Sequence, residues 1–280
     1  MYSYTINGLK NMSKGQLIFI GLGLYDENDI SLRGLKELEN CEKVFAEFYT
    51  SKLVGLNRNS FEKKIGKEIE VLSREESERG DKILKYALKG KVGFLTCGDP
   101  MIATTHVNLR LHAIKKDVNT KIIHSGSIVT AVPGLLGLQN YKFGRTTTLA
   151  FPEKDYFPTS PYLVIKRNKE IGLHTLVLLD IQSDKDIYMN ANEGMKLLLK
   201  MEEKVKENII TEDRVICVVG QAGSDKPILK ANMIKFLLDK NFGPPLHTLV
   251  IPGPLHFMEV EALEICAGLP REISKKLQKL

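Results

Sequence analysis

Short apolar segments that end in glycine or polar turns alternate with helical patterns through the first half of this 280-residue chain. The first segment covers residues 17–24 and contains Gly21 and Gly23 near its end. Four more apolar segments follow, at residues 44–49, 68–72, 92–97 and 121–125. Strands that alternate with helices in this way build parallel sheets with helices on both faces. The sequence therefore predicts an α/β fold whose first half contains a parallel sheet.

The loop that follows residues 92–97 combines three residues suited to holding a small molecule. Gly98 lets a ligand approach the backbone closely, and Pro100 fixes the turn. Asp99 offers acceptors to hydroxyl or amino groups, and its negative charge repels phosphate. Because ligands of open α/β sheets bind just outside the carboxyl ends of the strands, this loop predicts a binding site. An ordinary strand-to-helix loop with a capping aspartate is the alternative interpretation.

The common phosphate-binding and nucleophile motifs do not occur in the chain. Gly21-x-Gly23 resembles the start of a dinucleotide fingerprint, but Asp26 occupies the place of the third glycine. There is no GxxxxGKS or GxxxxGKT phosphate loop and no GxSxG nucleophile elbow. These patterns favour a nucleoside-type ligand without a triphosphate over NAD.

Helix caps and further strands extend the pattern into the second half. Strands are expected at residues 146–151, 174–181, 214–220 and 246–251. Helix N-caps are expected at Ser31, Ser73, Thr104 or Thr105, and Ser127. The helix after Ser73 is expected to run to about residue 89. Pro133 and Gly134 are expected to break the apolar segment at residues 128–138.

Composition and charge limit the class of protein. Apolar residues make up 43% of the chain, and no apolar run approaches the roughly 18 residues of a membrane span. The first residues lack a signal-peptide pattern, so we expect a cytoplasmic protein with a polar tail at residues 1–16. The net charge of +6 lies mostly on predicted helices without interleaved aromatic residues, so direct nucleic-acid binding is not expected. A basic face for an acidic or RNA-associated partner remains an open alternative.

The cysteines and histidines form no disulfide or metal-binding pattern. The four cysteines lie far apart in the sequence and predict reduced thiols. His256 with Glu259 and Glu261 suggests a metal site, but the apolar helical pattern around them favours a structural role. No metal is therefore expected.

Several of these segments together resemble the diphthine synthase family, S-adenosylmethionine-dependent methyltransferases of the tetrapyrrole methylase type. Gly98-Asp99-Pro100 alone indicates only the wider methylase group. The Leu-Tyr-Asp sequence at 24–26, Glu-Phe-Tyr-Thr-Ser at 47–51 and Ala-Thr-Thr-His at 103–106 are far more specific. Further matching segments are residues 127–128, 141–144, 173–181, 246–247 and 252–253. The likeness covers residues 17–270, and the compact second half is similar to the archaeal form.

The resemblance implies two α/β domains of the tetrapyrrole methylase type, with a parallel sheet in the first, a mixed sheet in the second and a donor cleft between them. After the tail, we expect an N-terminal domain at residues 17–126 and a C-terminal domain at residues 127–280. The family also implies a homodimer, S-adenosyl-L-methionine as methyl donor and S-adenosyl-L-homocysteine as product.

The family's donor-binding positions carry over to eight residues of this sequence. In the first half they are Leu24 at the end of the first strand, and Asp99 and Ile102 in the Gly-Asp-Pro loop. The others are Ser127, Ile128, Leu179, Ala222 and His247. Leu179 is expected in the middle of a strand and His247 at the start of one, whereas the other positions lie at or near strand ends. From the sequence alone, a purely structural role for Leu179 and His247 is the alternative interpretation. No residue is singled out as a general base.

The family reaction is the trimethylation of an amino group on translation elongation factor 2. The acceptor is the 3-amino-3-carboxypropyl arm of a modified histidine, and the product is diphthine, an intermediate of diphthamide biosynthesis. Three alternatives remain beside it: a methyltransferase of the same fold that acts on a small tetrapyrrole, an NAD-dependent oxidoreductase, and a noncatalytic scaffold that binds the translation factor.

Overall fold

The structure is a computed structural model that describes residues 15–153 and 157–278. It divides into two compact units. Among the described residues, the first unit comprises residues 15–22, 30–48 and 58–125, and the second comprises residues 23–29, 49–57, 126–153 and 157–278. The two short segments at 23–29 and 49–57 group with the second unit, whereas the sequence analysis placed them in the first domain. The predicted tail lies almost wholly outside the described residues, and Gln16 belongs to the first strand.

The first unit contains a five-stranded sheet in which every neighbouring pair is parallel. Its strands are β1 (Gln16–Gly21), β2 (Lys43–Glu47), β3 (Ile69–Val71), β4 (Lys91–Thr96) and β5 (Asn119–Ile123), in the order β3-β2-β4-β1-β5. The parallel sheet predicted from the alternating pattern is confirmed. All five strands therefore end at one edge of the sheet.

Helices connect the strands of the first unit. They are α1 (Leu32–Glu39), α2 (Arg58–Ile65), α3 (Arg74–Arg79), α4 (Asp81–Ala87) and α5 (His106–Lys115). The single helix predicted after Ser73 is wrong, because Gly80 adopts a φ of +69° and separates α3 from α4. Thr105 precedes α5 as predicted, but its side chain makes no capping hydrogen bond.

The second unit contains a mixed sheet. Its strands are β6 (Thr147–Leu149), β7 (Thr175–Leu179), β10 (Val215–Gly220), β11 (Ile228–Met233) and β12 (His247–Ile251), and a small hairpin is formed by β8 (Ile181–Gln182) and β9 (Ile187–Tyr188). The order is β11-β10-β12-β7-β6, and only the β6–β7 pair of this sheet is parallel. The mixed sheet implied by the resemblance is confirmed.

Helices cover both faces of the mixed sheet. They are α6 (Ile128–Leu136), α7 (Ser160–Glu170), α8 (Ala191–Val205), α9 (Ile234–Leu237), α10 (Phe257–Ala267) and α11 (Arg271–Leu277). One core layer includes Met195 and Leu198 of α8, and the other includes Leu136 of α6 and Leu263 of α10. This second unit is thus a helix–sheet–helix sandwich with an apolar core on each side of the sheet.

The predicted break at Pro133 is wrong, because α6 continues through it to Leu136. A proline inside a helix removes one backbone hydrogen bond. Here Val132, Pro133 and Leu136 are all buried, so apolar burial offsets that loss. The helix ends at Gly137, which adopts a φ of +67°.

Candidate functional site

The ends of β1, β4 and β5 meet closely at the carboxyl edge of the first unit's sheet. A Cβ atom at Gly21 would lie 2.5 Å from the Gly98 carbonyl oxygen and 2.8 Å from the Cβ of Ser125. Only glycine fits at this position, because a side chain would push the two neighbouring loops apart. The predicted Gly-Asp-Pro loop therefore stands at the edge where a parallel sheet binds its ligands.

The carboxylate of Asp99 links this loop to the end of β5. Its Oδ1 accepts a hydrogen bond from the backbone N–H of Met101 at 3.0 Å. Its Oδ2 accepts one from the N–H of Ser125 at 3.3 Å and lies 2.7 Å from Nδ1 of His124. The side chain is buried. Asp99 thus orders the loop itself, and its remaining acceptor capacity is what it can offer to a ligand.

Two side chains beside Asp99 are exposed. His124 is the residue that sequence reasoning missed; its side chain is 71% exposed although Nδ1 contacts Asp99. The sequence analysis placed His124 inside the strand predicted at 121–125, whereas β5 ends at Ile123 and His124 is the first residue after it. Ile102 is an exposed apolar side chain on the same loop, and its N–H donates to the Asp99 carbonyl at 3.3 Å.

A buried polar contact lies beneath this loop. His106, the first residue of α5, has Nδ1 3.1 Å from the Pro100 carbonyl oxygen and Nε2 3.5 Å from Oε1 of Glu47. The imidazole packs edge-to-face on Phe94, with 5.1 Å between ring centroids. Burial lowers the pKa of His106 to about 4, against the smaller opposing effect of the hydrogen bond to Pro100. The sequence analysis matched Glu47 and His106 to the family but gave neither of them a role.

In the second unit, Leu24 is held by a tight loop rather than by a strand. The prediction that Leu24 ends the first strand is wrong, because β1 ends at Gly21. Gly23 adopts a φ of +86°, and Oδ2 of Asp29 accepts hydrogen bonds from the N–H groups of Leu24 at 3.0 Å and Tyr25 at 2.7 Å. Asp29, one of the acidic residues after Gly23, therefore holds the backbone of Leu24, a candidate residue for binding the methyl donor.

The structure brings Leu24 together with two other predicted donor-binding segments. A Cβ at Gly223, next to Ala222, would lie 2.7 Å from the Cβ of Leu24. A Cβ at Gly126, next to Ser127, would lie 3.6 Å from Cδ1 of Leu24. Leu24 thus lies beside the backbone at Gly126 and Gly223, the glycines next to the candidate residues Ser127 and Ala222.

Ser127 caps α6, as the sequence predicted. Its Oγ accepts a hydrogen bond from the N–H of Val129 at 3.3 Å, and its own N–H donates to Oγ1 of Thr130 at 3.4 Å. Ile128 is the first residue of the helix. This reciprocal cap fixes the direction in which the chain enters α6.

Leu179 and His247 lie at the same edge of the mixed sheet. The prediction that Leu179 is mid-strand is wrong, because β7 ends there. The next residue, Asp180, leaves the sheet ladder, and its Oδ2 accepts a hydrogen bond from the N–H of Phe151 at 3.0 Å. β12 runs antiparallel to both β7 and β10, so it begins at His247 where those strands end. His247 pairs directly with Gly220, the last residue of β10.

The imidazole of His247 is bonded to backbone on both sides. Nε2 lies 2.9 Å from the Phe242 carbonyl oxygen and must donate to it, so Nδ1 accepts the N–H of Ala191 at 3.2 Å. Burial lowers the pKa of His247 and keeps the ring neutral. Both ring nitrogens of His247 are thus occupied by hydrogen bonds within the protein. A ligand could contact only the His247 backbone and the face of its ring.

The other histidine group considered in the sequence forms a structural cap. His256 is the N-cap of α10, with Glu259 as the reciprocal partner of a capping box. In the described ranges 15–153 and 157–278, no group of three or more His, Cys, Asp or Glu side chains is arranged to hold a metal ion. Within the same ranges, no helix has the length and apolar character that crossing a membrane requires.

Comparison with known proteins identifies the family. The family described as Tetrapyrrole (Corrin/Porphyrin) Methylases matches residues 16–230. The chain is 46% identical over 261 residues to a diphthine synthase of Methanothermobacter thermautotrophicus, covering 93% of this chain and 99% of that protein. It is 52% identical over 257 residues to a diphthine synthase of Methanocaldococcus jannaschii, covering 90% and 100%. A crystal structure of a diphthine synthase has a TM-score of 0.84 at 35% identity and covers 93% of this chain and 99% of its own. The chain therefore belongs to the tetrapyrrole methylases and, within them, to the diphthine synthases, which are S-adenosylmethionine-dependent methyltransferases.

Proposed function

We propose that this protein trimethylates the amino group of the 3-amino-3-carboxypropyl-histidine intermediate on translation elongation factor 2. The product is diphthine, and the donor is S-adenosylmethionine. The observation that carries the proposal is the 46–52% identity to diphthine synthases along nearly the whole chain. The likeness of the second half to the archaeal form favours the trimethyl product over an additional methyl ester.

The proposed donor-binding residues are the eight named from the resemblance: Leu24, Asp99, Ile102, Ser127, Ile128, Leu179, Ala222 and His247. Their chemistry fits a cationic nucleoside without phosphate. Asp99 is the only charged residue among them, and it is negative. Gly98 adopts a φ of +68° and carries no side chain, so the loop backbone is open to close approach. The apolar members suit the adenine ring and the thioether arm.

When bound, the donor supplies a methyl group already activated on a sulfonium, so the protein needs no nucleophile of its own. The residues of this chain must align the acceptor amine with the methyl carbon and exclude water. Leu24, Ile102 and Ala222 provide apolar surface for that exclusion, and Asp99 holds the loop that carries Ile102. The amine must lose a proton before each attack that starts from an ammonium, and bulk solvent or a carboxylate accepts it.

We further propose that the protein acts in the cytoplasm as a homodimer, with elongation factor 2 as its partner. A translation factor is a cytoplasmic substrate, which supports the location. The homodimer and the absence of direct nucleic-acid binding remain predictions from the resemblance and the charge pattern.

Intact-mass spectrometry tests the reaction directly. Purified protein is incubated with S-adenosylmethionine and archaeal elongation factor 2 that carries the aminocarboxypropyl-histidine intermediate. We expect a gain of three methyl increments, and no gain when the target histidine of the factor is replaced. Four increments would indicate the methyl ester product. Donor binding without any mass gain would contradict the proposed acceptor and favour a different substrate, such as a small tetrapyrrole.

A further inference from the structure

Asp99 and His124 form a carboxylate–imidazole pair in the first unit, and the reaction described above gives the imidazole no role. β5 ends at Ile123, so His124 is the first residue beyond the strand. Its Nδ1 lies 2.7 Å from Oδ2 of Asp99, in the loop that follows β4. The Asp99 side chain is 8% exposed, whereas the His124 side chain is 71% exposed. The pair thus joins a buried carboxylate to an exposed imidazole.

The Asp99 carboxylate determines which ring nitrogen of His124 carries a hydrogen. Its oxygens also accept hydrogen bonds from the N–H groups of Met101 and Ser125. Because a carboxylate only accepts, Nδ1 of His124 donates to Oδ2, and Nε2 of the neutral ring carries the lone pair. Among the residues that the structure describes, none is hydrogen-bonded to Nε2. That nitrogen is therefore available to accept a proton.

The same carboxylate leaves one acceptor position for a ligand. Each carboxylate oxygen offers two lone-pair sites. Those of Oδ2 are taken by His124 and Ser125, whereas Oδ1 accepts one hydrogen bond, from Met101. A hydroxyl or amino group of the donor that binds Asp99 therefore binds Oδ1, next to the oxygen that holds the imidazole. His124 also lies three residues before Ser127, another proposed donor contact.

The other five histidines, all within the described ranges, do not offer such a nitrogen at this edge. In the first unit, His106 is buried, which lowers its pKa to about 4. His112 lies in the last turn of α5, which leads back to the start of β5 at the opposite edge of the sheet. In the second unit, both ring nitrogens of His174 and of His247 are hydrogen-bonded, and His256 caps α10. One exposed imidazole thus remains at the carboxyl edge of the first sheet.

We propose that His124 is a catalytic residue: its Nε2 takes the proton from the acceptor ammonium before methyl transfer, and Asp99 holds the ring in the tautomer that accepts it. The inference deepens the function proposed above and rests on it. Asp99 would then serve the reaction twice, by binding the donor through Oδ1 and by orienting the base through Oδ2.

The proton and electrons balance as follows in each of the three transfers. When the proton moves to Nε2, the electrons of the N–H bond stay on the amine nitrogen as a lone pair. That pair forms the bond to the methyl carbon, while the carbon–sulfur bond breaks and leaves its electrons on sulfur. The positive charge on the His124 ring faces the Asp99 carboxylate. Because the ring is exposed, Nε2 then releases the proton to bulk solvent.

His124→Asn separates the base from the loop contact. The asparagine amide falls near the position of Nδ1 and still donates to Asp99, but it has no basic nitrogen. We expect the affinity for S-adenosylhomocysteine, measured by calorimetry, to stay within about threefold of wild type. Single-turnover transfer to elongation factor 2 that carries the intermediate, at saturating S-adenosylmethionine, should be about 100-fold slower for each methyl group, the effect of losing a general base.

A matched control and a rescue complete the series. His112→Asn makes the same substitution at an exposed histidine of the first unit, and it should bind donor and transfer methyl groups as wild type does. His124→Ala removes the exposed ring, so free imidazole in the buffer can take its place as the base. Added imidazole should raise the transfer rate of His124→Ala at least about tenfold and leave the wild-type rate unchanged.

Three outcomes would overturn the proposal. The first is transfer by His124→Asn at the wild-type rate. The second is a loss of transfer that only matches a loss of donor affinity, because a structural role of the Asp99 contact would suffice to explain it. The third is a transfer rate of His124→Ala that imidazole does not change.

Nitrogen-15 NMR of the histidine rings provides a readout that needs neither donor nor elongation factor 2. The neutral His124 ring should carry its hydrogen on Nδ1, and a hydrogen on Nε2 would overturn the proposal. Wild-type protein that shows this tautomer and binds donor, but methylates no elongation factor 2, would contradict the acceptor proposed above. The failure of the proposed function is therefore distinguishable from the failure of the His124–Asp99 pair.

Discussion

Nε2 of His174 donates a hydrogen bond to Oε1 of Glu259 at 3.0 Å, and both side chains are buried in the second unit. The direction is determined because Nδ1 of His174 accepts the N–H of Gly253 at 2.9 Å. Glu259 also accepts from the N–H of Gln139 and of His256, and Lys142 pairs with its second oxygen. This one carboxylate therefore joins the segment after α6, the start of β7 and the first turn of α10.

Glu259→Gln should destabilise the second unit because it removes the charge that these donors share. Burial alone would raise the pKa of Glu259, but the hydrogen bonds from Lys142, Gln139, His256 and His174 hold it at about 2. Breaking a buried, hydrogen-bonded charge pair costs about 3 kcal/mol. Urea unfolding measures the change. Glu261→Gln, an exposed position on the same helix, is the control and should change stability by less than about 0.5 kcal/mol.

Stability should fall as the pH drops from 7 towards 5. His174 and His247 are neutral in the folded state, and burial lowers the pKa of each below the usual value of 6.5. The unfolded chain therefore binds protons first, so the stabilisation is complete above 6.5 and is lost as the pH falls towards the folded pKa. Each such histidine contributes at most about 1.4 kcal/mol per pH unit in that window. Urea unfolding at a series of pH values should show a shallower slope for His247→Asn, and an unchanged slope would contradict this account.

Asp99→Ala should weaken donor binding by about tenfold or more. The substitution removes the acceptors for the N–H groups of Met101 and Ser125 and the contact with His124. Loss of these bonds frees the loop that carries Ile102. Calorimetry with S-adenosylhomocysteine measures the effect, and Glu75→Ala on the exposed side of α3 is the control. Wild-type affinity in Asp99→Ala would show that the residue has no part in donor binding.

Gly223→Ala should disturb the Leu24 loop and reduce donor affinity. Gly223 adopts a φ of +92°, and an added Cβ would lie 2.7 Å from the Cβ of Leu24. Alanine is strained at positive φ, and the contact requires backbone movement. Gly134→Ala is the matched control in the second unit, because it lies inside α6 and an added Cβ meets no atom within 4 Å. We expect Gly134→Ala to bind donor as wild type does and to unfold at equal or higher urea concentration.

Local patterns predicted much of the secondary structure. The capping box at Ser73 and the N-cap at Ser127 form where the sequence placed them, because a cap depends on residues two or three positions apart. The strands of the first unit lie within one to three residues of their predicted ends at most positions, since a buried parallel strand is a continuous apolar run. Strand β11 was missed because polar residues interrupt its apolar positions, as in Lys230 and Asn232.

The sequence predicted individual residues of the candidate site but not how they lie relative to one another. That Gly98, Asp99 and Pro100 stand at a strand end is a local property, and the apolar run before them determined it. The position of His247 could not be derived this way. It joins Gly220 and Leu179 at one sheet edge only because β12 runs antiparallel to its neighbours, and strand direction within a sheet depends on long-range pairing.

The sequence by itself determined the α/β class, the parallel first sheet, the Gly-Asp-Pro turn and the family likeness, because each rests on periodicity or on short contiguous motifs. Only the tertiary structure decided that Asp29 braces Leu24, that Gly223 packs on it, and that His106 meets Glu47 beneath Pro100. Glu47 and His106 are 59 positions apart, and their contact arises from the crossover that places β2 beside β4. Local sequence determines backbone conformation and burial. Contacts between residues far apart in the sequence depend on how the whole unit packs.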